Sequence, residues 1–139
     1  MLRSLSSAGA LAAALSTLSS LPAPSAAAPL AAGEIRARSA GGEFRGYGAT
    51  RRSALEDVIW RFRPDGSLSS VSQIRRRAAM ASQFEEYNDT GTWRIEGDRL
   101  CVEFRSVHRD MSGCYGVDGG AGEQVRLVGP VQLQGTLSR

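Results

Sequence analysis

The sequence predicts a mainly β fold: an antiparallel meander that forms a small barrel or half-barrel, preceded by one short N-terminal helix. Three observations support this fold class. Apolar and polar residues alternate in several short segments, which is the pattern of half-buried strands. Turn-forming residues separate these segments, and the chain has no internal repeat. About six to eight strands result, and closing them into a barrel would remove exposed strand edges.

The first part of the chain has the composition of a secretory signal peptide. Arg3 is the first charged residue and Glu34 the next, with a stretch rich in Ala, Leu and Ser between them. A basic start, a short apolar core and small residues at its exit are typical of a cleaved leader. Serines and prolines interrupt the core, whereas a membrane-spanning helix needs about 20 mainly apolar residues. We therefore expect residues 1–27 to be a signal peptide and residues 28–139 to be a single small β-rich domain. The expected location is periplasmic or secreted, with no stable membrane insertion after cleavage.

The charge of the chain does not indicate a nucleic-acid partner. All 17 basic residues are arginines, and the formal net charge is +3. This excess is too small for the electrostatic footprint of a DNA- or RNA-binding domain. A domain of this length lies near the lower limit at which burial alone stabilises a fold, so a covalent crosslink would contribute a large share of its stability.

The two cysteines, Cys101 and Cys114, are predicted to form a disulfide. An even number of cysteines in an exported chain is typical of a structural bridge. Closing a loop of about 13 residues would stabilise the domain by roughly 3 kcal/mol. A structural zinc site is the alternative, but it needs four ligands, and the chain offers these cysteines and a single histidine, His108. We interpret His108 as a solvated loop residue, and we expect neither a metal nor a cofactor.

The predicted elements follow in chain order. A helix is predicted from Pro29 to Ala40, because proline suits a first helical turn and the Gly-Gly pair that follows ends it. Val58 to Arg63 alternates with a period of two and is predicted to be a strand. Pro64-Asp65-Gly66 forms a turn, and Ser67 to Ile74 is the returning strand. The apolar residues of that strand fall on both faces, which predicts a bulge or a twist.

The stretch from Arg75 to Tyr87 has no clear period. It is compatible with a helical insertion or with a long loop that crosses one end of the sheet. Three consecutive arginines begin it, and we interpret them as a solvated strand end. The alternative is contact with an anionic surface such as lipid head groups.

The clearest hairpin runs from Gly91 to Phe104. A four-residue loop over 96–99 gives two cross-strand pairs, Trp93 with Val102 and Ile95 with Leu100. In this register Cys101 points away from the core face. The disulfide is therefore expected to join the outer side of the sheet to Cys114, which turns Tyr115 and Val117 inward.

Two further strands are predicted near the C-terminus. They cover 124–127 and 131–137, and Pro130 separates them. The Gly-rich segment 118–122 is predicted to be a turn. Because no helix follows this segment, we do not expect it to bind a phosphate group.

Four motifs occur together along the chain: Glu34-Ile35-Arg36, Pro64-Asp65-Gly66, the run from Gly91 to Cys101, and Cys114-Tyr115. With these motifs the chain resembles a group of small exported bacterial domains of unknown function that have a lipocalin-like shape. The resemblance covers most of the chain from about Leu30 to Val128. It implies a barrel-like fold and an exported location, and it carries over no activity and no catalytic residue.

The favoured function is a non-enzymatic binding module that holds a small apolar ligand or an envelope component in the mouth of the barrel. Its candidate ligand-binding residues are the aromatic residues of the inner face: Trp60, Phe62, Trp93, Phe104 and Tyr115. Small barrels can hold one ligand. The same rings would also be needed to fill the core of so short a domain.

The alternative function is a protein-interaction module, such as a periplasmic inhibitor of a protease or a lysozyme. Rigid loops lower the ordering cost of binding. The candidate contact segments are Ser106 to Gly113 and Arg75 to Tyr87. Inhibition would then depend on loop residues such as His108 or Met111.

A hydrolase is the remaining possibility, and we do not favour it. It would use His108 with Asp110 and a nearby serine, or an acid–base pair such as Glu56 and Asp57. Neighbouring residues of a strand point to opposite faces, so the second pair could not converge on one substrate. We therefore expect the protein not to be an enzyme and to have no catalytic residue.

Overall fold

Strand pairing closes the sheet into a barrel. A computed structural model describes residues 27–78 and 81–139, with the side chains of 76–78 and 81–83 excepted. The described helix and strands are β1 Ala28–Pro29, α1 Ala32–Ser39, β2 Glu43–Gly48, β3 Glu56–Phe62, β4 Ser67–Ala78, β5 Ala81–Glu96, β6 Arg99–Phe104, β7 Gly113–Gly119, β8 Gln124–Val128 and β9 Gln132–Ser138. A single 3-10 turn, Arg109–Met111, lies between β6 and β7.

Each strand from β2 to β8 pairs antiparallel with the next one along the chain, and β9 returns to pair with β2. The predicted mainly β meander is therefore a closed eight-stranded barrel. Two glycines, Gly46 and Gly135, face each other in the closing pair. A Cβ atom on Gly135 would lie 2.1 Å from the carbonyl oxygen of Arg45 and 2.5 Å from the Cα atom of Gly46. The closing strands thus approach more closely than a side chain at Gly135 would allow.

Helix α1 covers one end of the barrel, where it contacts β2, β5, β6 and β9. It is shorter than the predicted helix, because Ala28 and Pro29 pair with β7 instead. The backbone N–H of Ala32 donates to Oδ1 of Asp98 at 2.9 Å, so a side chain from the β5–β6 turn caps the helix. Ile35 is completely buried and joins the barrel core.

The predicted signal peptide, apart from Ala27, lies outside the described residues. Within the part of the chain that is described, no helix has the length and apolarity that crossing a membrane requires. At Ala28 the chain is already attached to the barrel, since β1 forms two pairs with the end of β7.

The β5–β6 hairpin has the register predicted from the sequence. Its ladder contains both expected pairs, Trp93 with Val102 and Ile95 with Leu100. The connection is shorter than the predicted four residues, because Glu96 still pairs with Arg99 and only two residues form the turn. Gly97 makes this tight turn possible with a φ of 55°.

The disulfide prediction is confirmed. Cys101 on β6 and Cys114 on β7 are direct cross-strand partners and are covalently joined. The neighbours of Cys101 on both sides belong to the barrel core, so Cys101 itself faces outward. Tyr115 and Val117 point inward and are buried, as expected.

Of the bulge or twist predicted in Ser67 to Ile74, the bulge is wrong. β3 and β4 pair without interruption, from Phe62 opposite Leu68 to Glu56 opposite Ile74. Ser70 and Ser72 occupy the inward positions of β4 and are buried. The apolar pattern is therefore interrupted by buried serines and not by a change of register.

Within the stretch from Arg75 to Tyr87, the described residues 75–78 and 81–87 form neither a helix nor a loop but belong to strands. The pairing of β4 with β5 continues to Ala78 opposite Ala81, whereas β3 follows β4 only as far as Ile74. The hairpin extends beyond β3 by about 14 Å, from the rise per residue of an antiparallel strand. We call residues 75–78 and 81–84 the hairpin arm. A strand pair outside the barrel has no face in the core, so its sequence needs no apolar alternation.

The barrel interior has an apolar part and a polar part. The centre and the end next to α1 are filled by aromatic and aliphatic side chains. Toward the other end, five polar or charged side chains are buried: Glu56, Ser70, Ser72, Asp89 and His108. Buried polar groups are costly unless they are hydrogen-bonded, so this end needs a network of partners.

We expect Gly135→Ala to lower the free energy of unfolding by about 1–3 kcal/mol, because the new methyl group must push β2 and β9 apart. Gly33→Ala is the matched control. Gly33 lies in α1 with no atom within 4 Å of an added Cβ, and alanine favours a helix by about 1 kcal/mol. Urea unfolding followed by circular dichroism measures both. A Gly135→Ala protein as stable as the wild type would contradict the close approach of the two strands.

Candidate functional site

The barrel end opposite α1 is formed by three loops and the hairpin arm. The loops are 49–55 between β2 and β3, 105–112 between β6 and β7, and 129–131 between β8 and β9. We call this end the rim. Both contact segments predicted from the sequence, 75–87 and 106–113, belong to the rim or lie directly against it.

Asp89 anchors the β6–β7 loop to the barrel. It points inward from β5 and is 7% exposed. Its Oδ2 accepts the backbone N–H groups of Ser106 at 3.0 Å and His108 at 2.9 Å, and its Oδ1 accepts the Ser106 hydroxyl at 3.1 Å. Burial alone would raise the pKa of Asp89, but these donors and the N–H of Thr90 outweigh burial and hold the pKa below its ordinary value. The carboxylate is therefore charged at neutral pH and fixes the path of the loop.

A buried ion-pair cluster joins the β2–β3 loop to the β6–β7 loop. The Nε of Arg52 lies 3.0 Å from Glu56, and its Nη1 lies 2.8 Å from Asp110. Glu56 is completely buried and also accepts the hydroxyl of Thr50. Arg52 donates as well to the backbone carbonyl of Val107. Burial would lower the pKa of Arg52, but its two carboxylate partners raise it, so the guanidinium remains charged.

His108 is buried within the barrel end and does not lie in solvent. Its Nε2 is 2.9 Å from the hydroxyl oxygen of Ser72, and its ring lies edge-on to Phe104. The interpretation of His108 as a solvated loop residue is wrong, because the bond from its backbone N–H to Asp89 draws the loop inward. Burial, followed by the positive charge of Arg52, lowers the pKa of His108, so the ring is neutral at pH 7.

The contact between Ser72 and His108 is that of a nucleophile with a general base. Neither side chain has any exposed surface, so a substrate has no path to the hydroxyl in this conformation. The hydrolase considered from the sequence would also use Asp110, which instead belongs to the ion-pair cluster. Glu56 and Asp57 lie on opposite faces of β3, one buried and the other exposed. That the protein is not an enzyme stays a prediction.

The five aromatic residues predicted to bind a ligand lie together in the barrel core: Trp60, Phe62, Trp93, Phe104 and Tyr115. The ring centroid of Trp60 is 5.4 Å from that of Phe104 and 5.6 Å from that of Tyr115. Phe62 connects Trp60 to Trp93 through edge-to-face contacts. These rings occupy the space that a ligand would need. Their role in ligand binding stays a prediction.

Exposed apolar side chains gather at the rim. Among the described residues, the large apolar side chains that are exposed are Tyr47, Leu55, Phe84, Val107 and Val128. Each lies in a rim loop, in the hairpin arm or within two residues of a rim loop. Tyr47 and Leu55 also line the same shallow hollow. By contrast, the loop residues expected to make contacts, His108 and Met111, are buried. No sequence pattern indicates this group, because isolated apolar residues in loops have no periodicity.

The chain matches no family model, no curated protein and no solved structure. Its function is therefore inferred from geometry. The chain forms a small closed barrel with one end covered by a helix and with exposed apolar side chains at or next to the other end.

We expect the free energy of unfolding to fall as the pH drops below about 6.5, the ordinary pKa of histidine. The unfolded chain then binds a proton at His108 that the folded chain, with its lowered pKa, does not bind. Urea unfolding between pH 8 and pH 5 measures this slope, and His108→Gln should flatten it. The groups that face His108 are Arg52, Asp89, Glu56 and Asp110, and the variant leaves them unchanged. Identical slopes for both proteins would contradict the buried neutral ring.

We expect Asp89→Asn to lower the free energy of unfolding by about 1.5–3 kcal/mol, because a neutral amide cannot replace two charged acceptor oxygens. The backbone amides of the β6–β7 loop should then exchange hydrogen faster, which mass spectrometry measures. Asp57→Asn is the matched control, since Asp57 lies exposed on the outside of β3. Unchanged exchange in the loop of Asp89→Asn would show that this carboxylate is not its anchor.

Proposed function

We propose that the chain is an exported, non-enzymatic protein-binding module of the cell envelope, and that the rim is its contact surface. The observation that carries this proposal is the position of the exposed large apolar side chains, all of which lie at or next to the rim among the described residues. Exposed apolar side chains scattered singly are normal, but their concentration at one end of a domain is typical of an interaction site.

The charge of the rim indicates the chemistry of the partner. The rim segments 49–55, 75–78, 81–84 and 105–112 contain seven arginines and one acidic residue, and two glutamates directly follow the hairpin arm: Arg51, Arg52, Arg75, Arg76, Arg77, Arg105, Arg109 and Asp110, with Glu85 and Glu86. Among them Arg51, Arg75, Arg105 and Arg109 are exposed. A partner whose contact surface has acidic residues around an apolar centre would be electrostatically complementary to this end of the barrel.

The loops of the rim are held in place before any partner arrives. Asp89 fixes the β6–β7 loop, and Arg52 ties that loop to the β2–β3 loop. Binding through such loops loses less conformational entropy than binding through flexible ones. This is the property expected of an inhibitor of an envelope enzyme, such as a protease or a lysozyme.

Export is part of the proposal and is supported by two features. Residues 1–27 have the composition of a cleaved leader. The disulfide between Cys101 and Cys114 is typical of an oxidising compartment. The closed barrel also supports the resemblance to small exported domains with a lipocalin-like shape.

A small apolar ligand inside the barrel is the second candidate. Its support is a set of buried side-chain atoms that have no hydrogen-bond partner among the described residues, including Nε1 of Trp60 and Oγ of Ser70, which would bind a polar group that such a ligand carries. Buried polar atoms of this kind call for an explanation, and a ligand would supply one. Because aromatic rings fill the core, little space is left for a ligand there, and we favour the rim as the contact surface.

A crosslinking pull-down from an envelope extract of the source cell tests the proposal with three baits. The first is the wild type, and the second carries Leu55→Asp, Phe84→Asp and Val107→Asp at the rim. The third is a control with the same added charge at the opposite end: Ala37→Asp, Ala121→Asp and Gln124→Asp, all at exposed positions. We expect a partner that the wild type and the control retain and that the rim variant loses by tenfold or more.

Two outcomes would count against the rim. One is a set of partners that is the same for all three baits. The other is the absence of any partner together with a small molecule that co-purifies with the folded protein in native mass spectrometry, which would favour the ligand inside the barrel.

A further inference from the structure

A carboxylate lies against the disulfide on the outside of the barrel. Glu96, the last residue of β5, places its Oε2 3.4 Å from the sulfur of Cys101 and 3.5 Å from the sulfur of Cys114. A disulfide sulfur carries no proton, so neither contact is a hydrogen bond. The other oxygen of Glu96, Oε1, is 3.2 Å from Nε of Arg94. In the oxidised protein, therefore, neither sulfur donates a hydrogen bond to Oε2.

We propose that reduction of this disulfide creates a binding site for Zn²⁺, with Cys101, Cys114 and Glu96 as its ligands. Their three donor atoms already lie within 4.8 Å of one another. Zinc–sulfur bonds of about 2.3 Å and zinc–oxygen bonds of about 2.0 Å in a tetrahedral site put a sulfur and an oxygen about 3.5 Å apart. Both sulfur–oxygen distances match this value. Only the two sulfurs must separate, by rotation about their Cα–Cβ bonds once the bond between them is broken.

The conversion needs a two-electron reductant, here a dithiol, and then the metal. The reductant transfers two electrons and two protons, so the bond between the sulfurs breaks, both cysteines become thiols and the reductant becomes a disulfide. Attack occurs at the sulfur of Cys114, which is half-buried, whereas Cys101 is 1% exposed. Zn²⁺ then replaces the two thiol protons, which pass to water.

The charges around the site suit a divalent metal. Two thiolates and one carboxylate carry three negative charges, and Arg94 offsets the one that Zn²⁺ leaves uncompensated. Arg94 also holds the carboxylate through Oε1, as outer partners of metal ligands commonly do. Three protein ligands leave a fourth position for water. His108, which the sequence offers as a third possible zinc ligand beside the two cysteines, is buried against Ser72 and does not belong to the cluster.

The site makes zinc binding conditional on the redox state. The oxidised chain has no thiolate and cannot hold the metal through these residues, and the reduced chain can. This inference concerns the outer wall of the barrel and does not depend on the function proposed for the rim.

Zinc titration of the purified protein against a chromophoric chelator tests the site. Reduction with a phosphine avoids a thiol that would itself bind zinc. We expect one Zn²⁺ per reduced chain and none per oxidised chain. Glu96→Gln should weaken the affinity of the reduced chain by more than tenfold, and Arg94→Gln by about tenfold. Glu103→Gln, at an exposed position on β6, is the matched control and should bind like the wild type.

Binding must occur on the folded chain, because reduction also removes a crosslink. Zn²⁺ should raise the Tm of the reduced protein and leave that of the oxidised protein and of the Cys101→Ser/Cys114→Ser variant unchanged. Equal affinities of Glu96→Gln and the wild type would overturn the three-ligand site. A reduced protein that binds zinc only when circular dichroism shows it unfolded would overturn it as well.

Discussion

The pairing of β2 with β9 organises the whole molecule, because it converts a sheet with two edges into a closed barrel. Closure encloses a single core, and each connection between consecutive strands then lies at one of the two ends of the barrel. It depends on a backbone approach that Gly46 and Gly135 permit. With α1 covering one end, all the connections of the other end are free to form a surface.

Buried charge links the interior of the barrel to this surface. Asp89 and Glu56 point inward from neighbouring parts of the wall, and both hold groups that belong to loops. A buried carboxylate without its partners is strongly destabilising, so moving the loops away from Asp89 and Glu56 would require a large free energy. The buried polar side chains therefore determine the shape of the rim. They act by holding the loops and do not themselves contribute to the exposed surface.

The rim and the disulfide lie in different parts of the barrel and differ in chemistry. The rim combines exposed apolar side chains with arginines, which suits recognition of another protein surface. The cluster of Glu96 with the two cysteines lies on the outer wall, where Cys101 is paired with Arg94 on one side and with Cys114 on the other, and Glu96 is paired with Arg99. A metal site in such strands would be preorganised, since its ligands come from regular ladders and not from loops.

Local sequence patterns predicted much of the fold. The alternation in β3, the pairs Trp93–Val102 and Ile95–Leu100 and the outward direction of Cys101 all follow from the period of a strand and the chemistry of a turn. Strand β2 was not predicted. The inner face of β4 was not recognised, because the inward positions 70 and 72 are occupied by serines and not by apolar residues. The two segments predicted to make contacts lie at the rim or against it, and their contact role stays a prediction; His108 and Met111, the residues chosen within one of them, are buried.

The sequence by itself determined most of the strands, the positions of the turns between them and the disulfide, because each depends on residues that are close along the chain. Only the tertiary structure decided that His108 meets Ser72, that Arg52 meets Asp110, and that Glu96 lies against both sulfurs. Arg52 and Asp110 are 58 positions apart, and nothing in either local segment indicates the other. Barrel closure brings such residues together, and the cost of burying their charges without partners then fixes which of them pair.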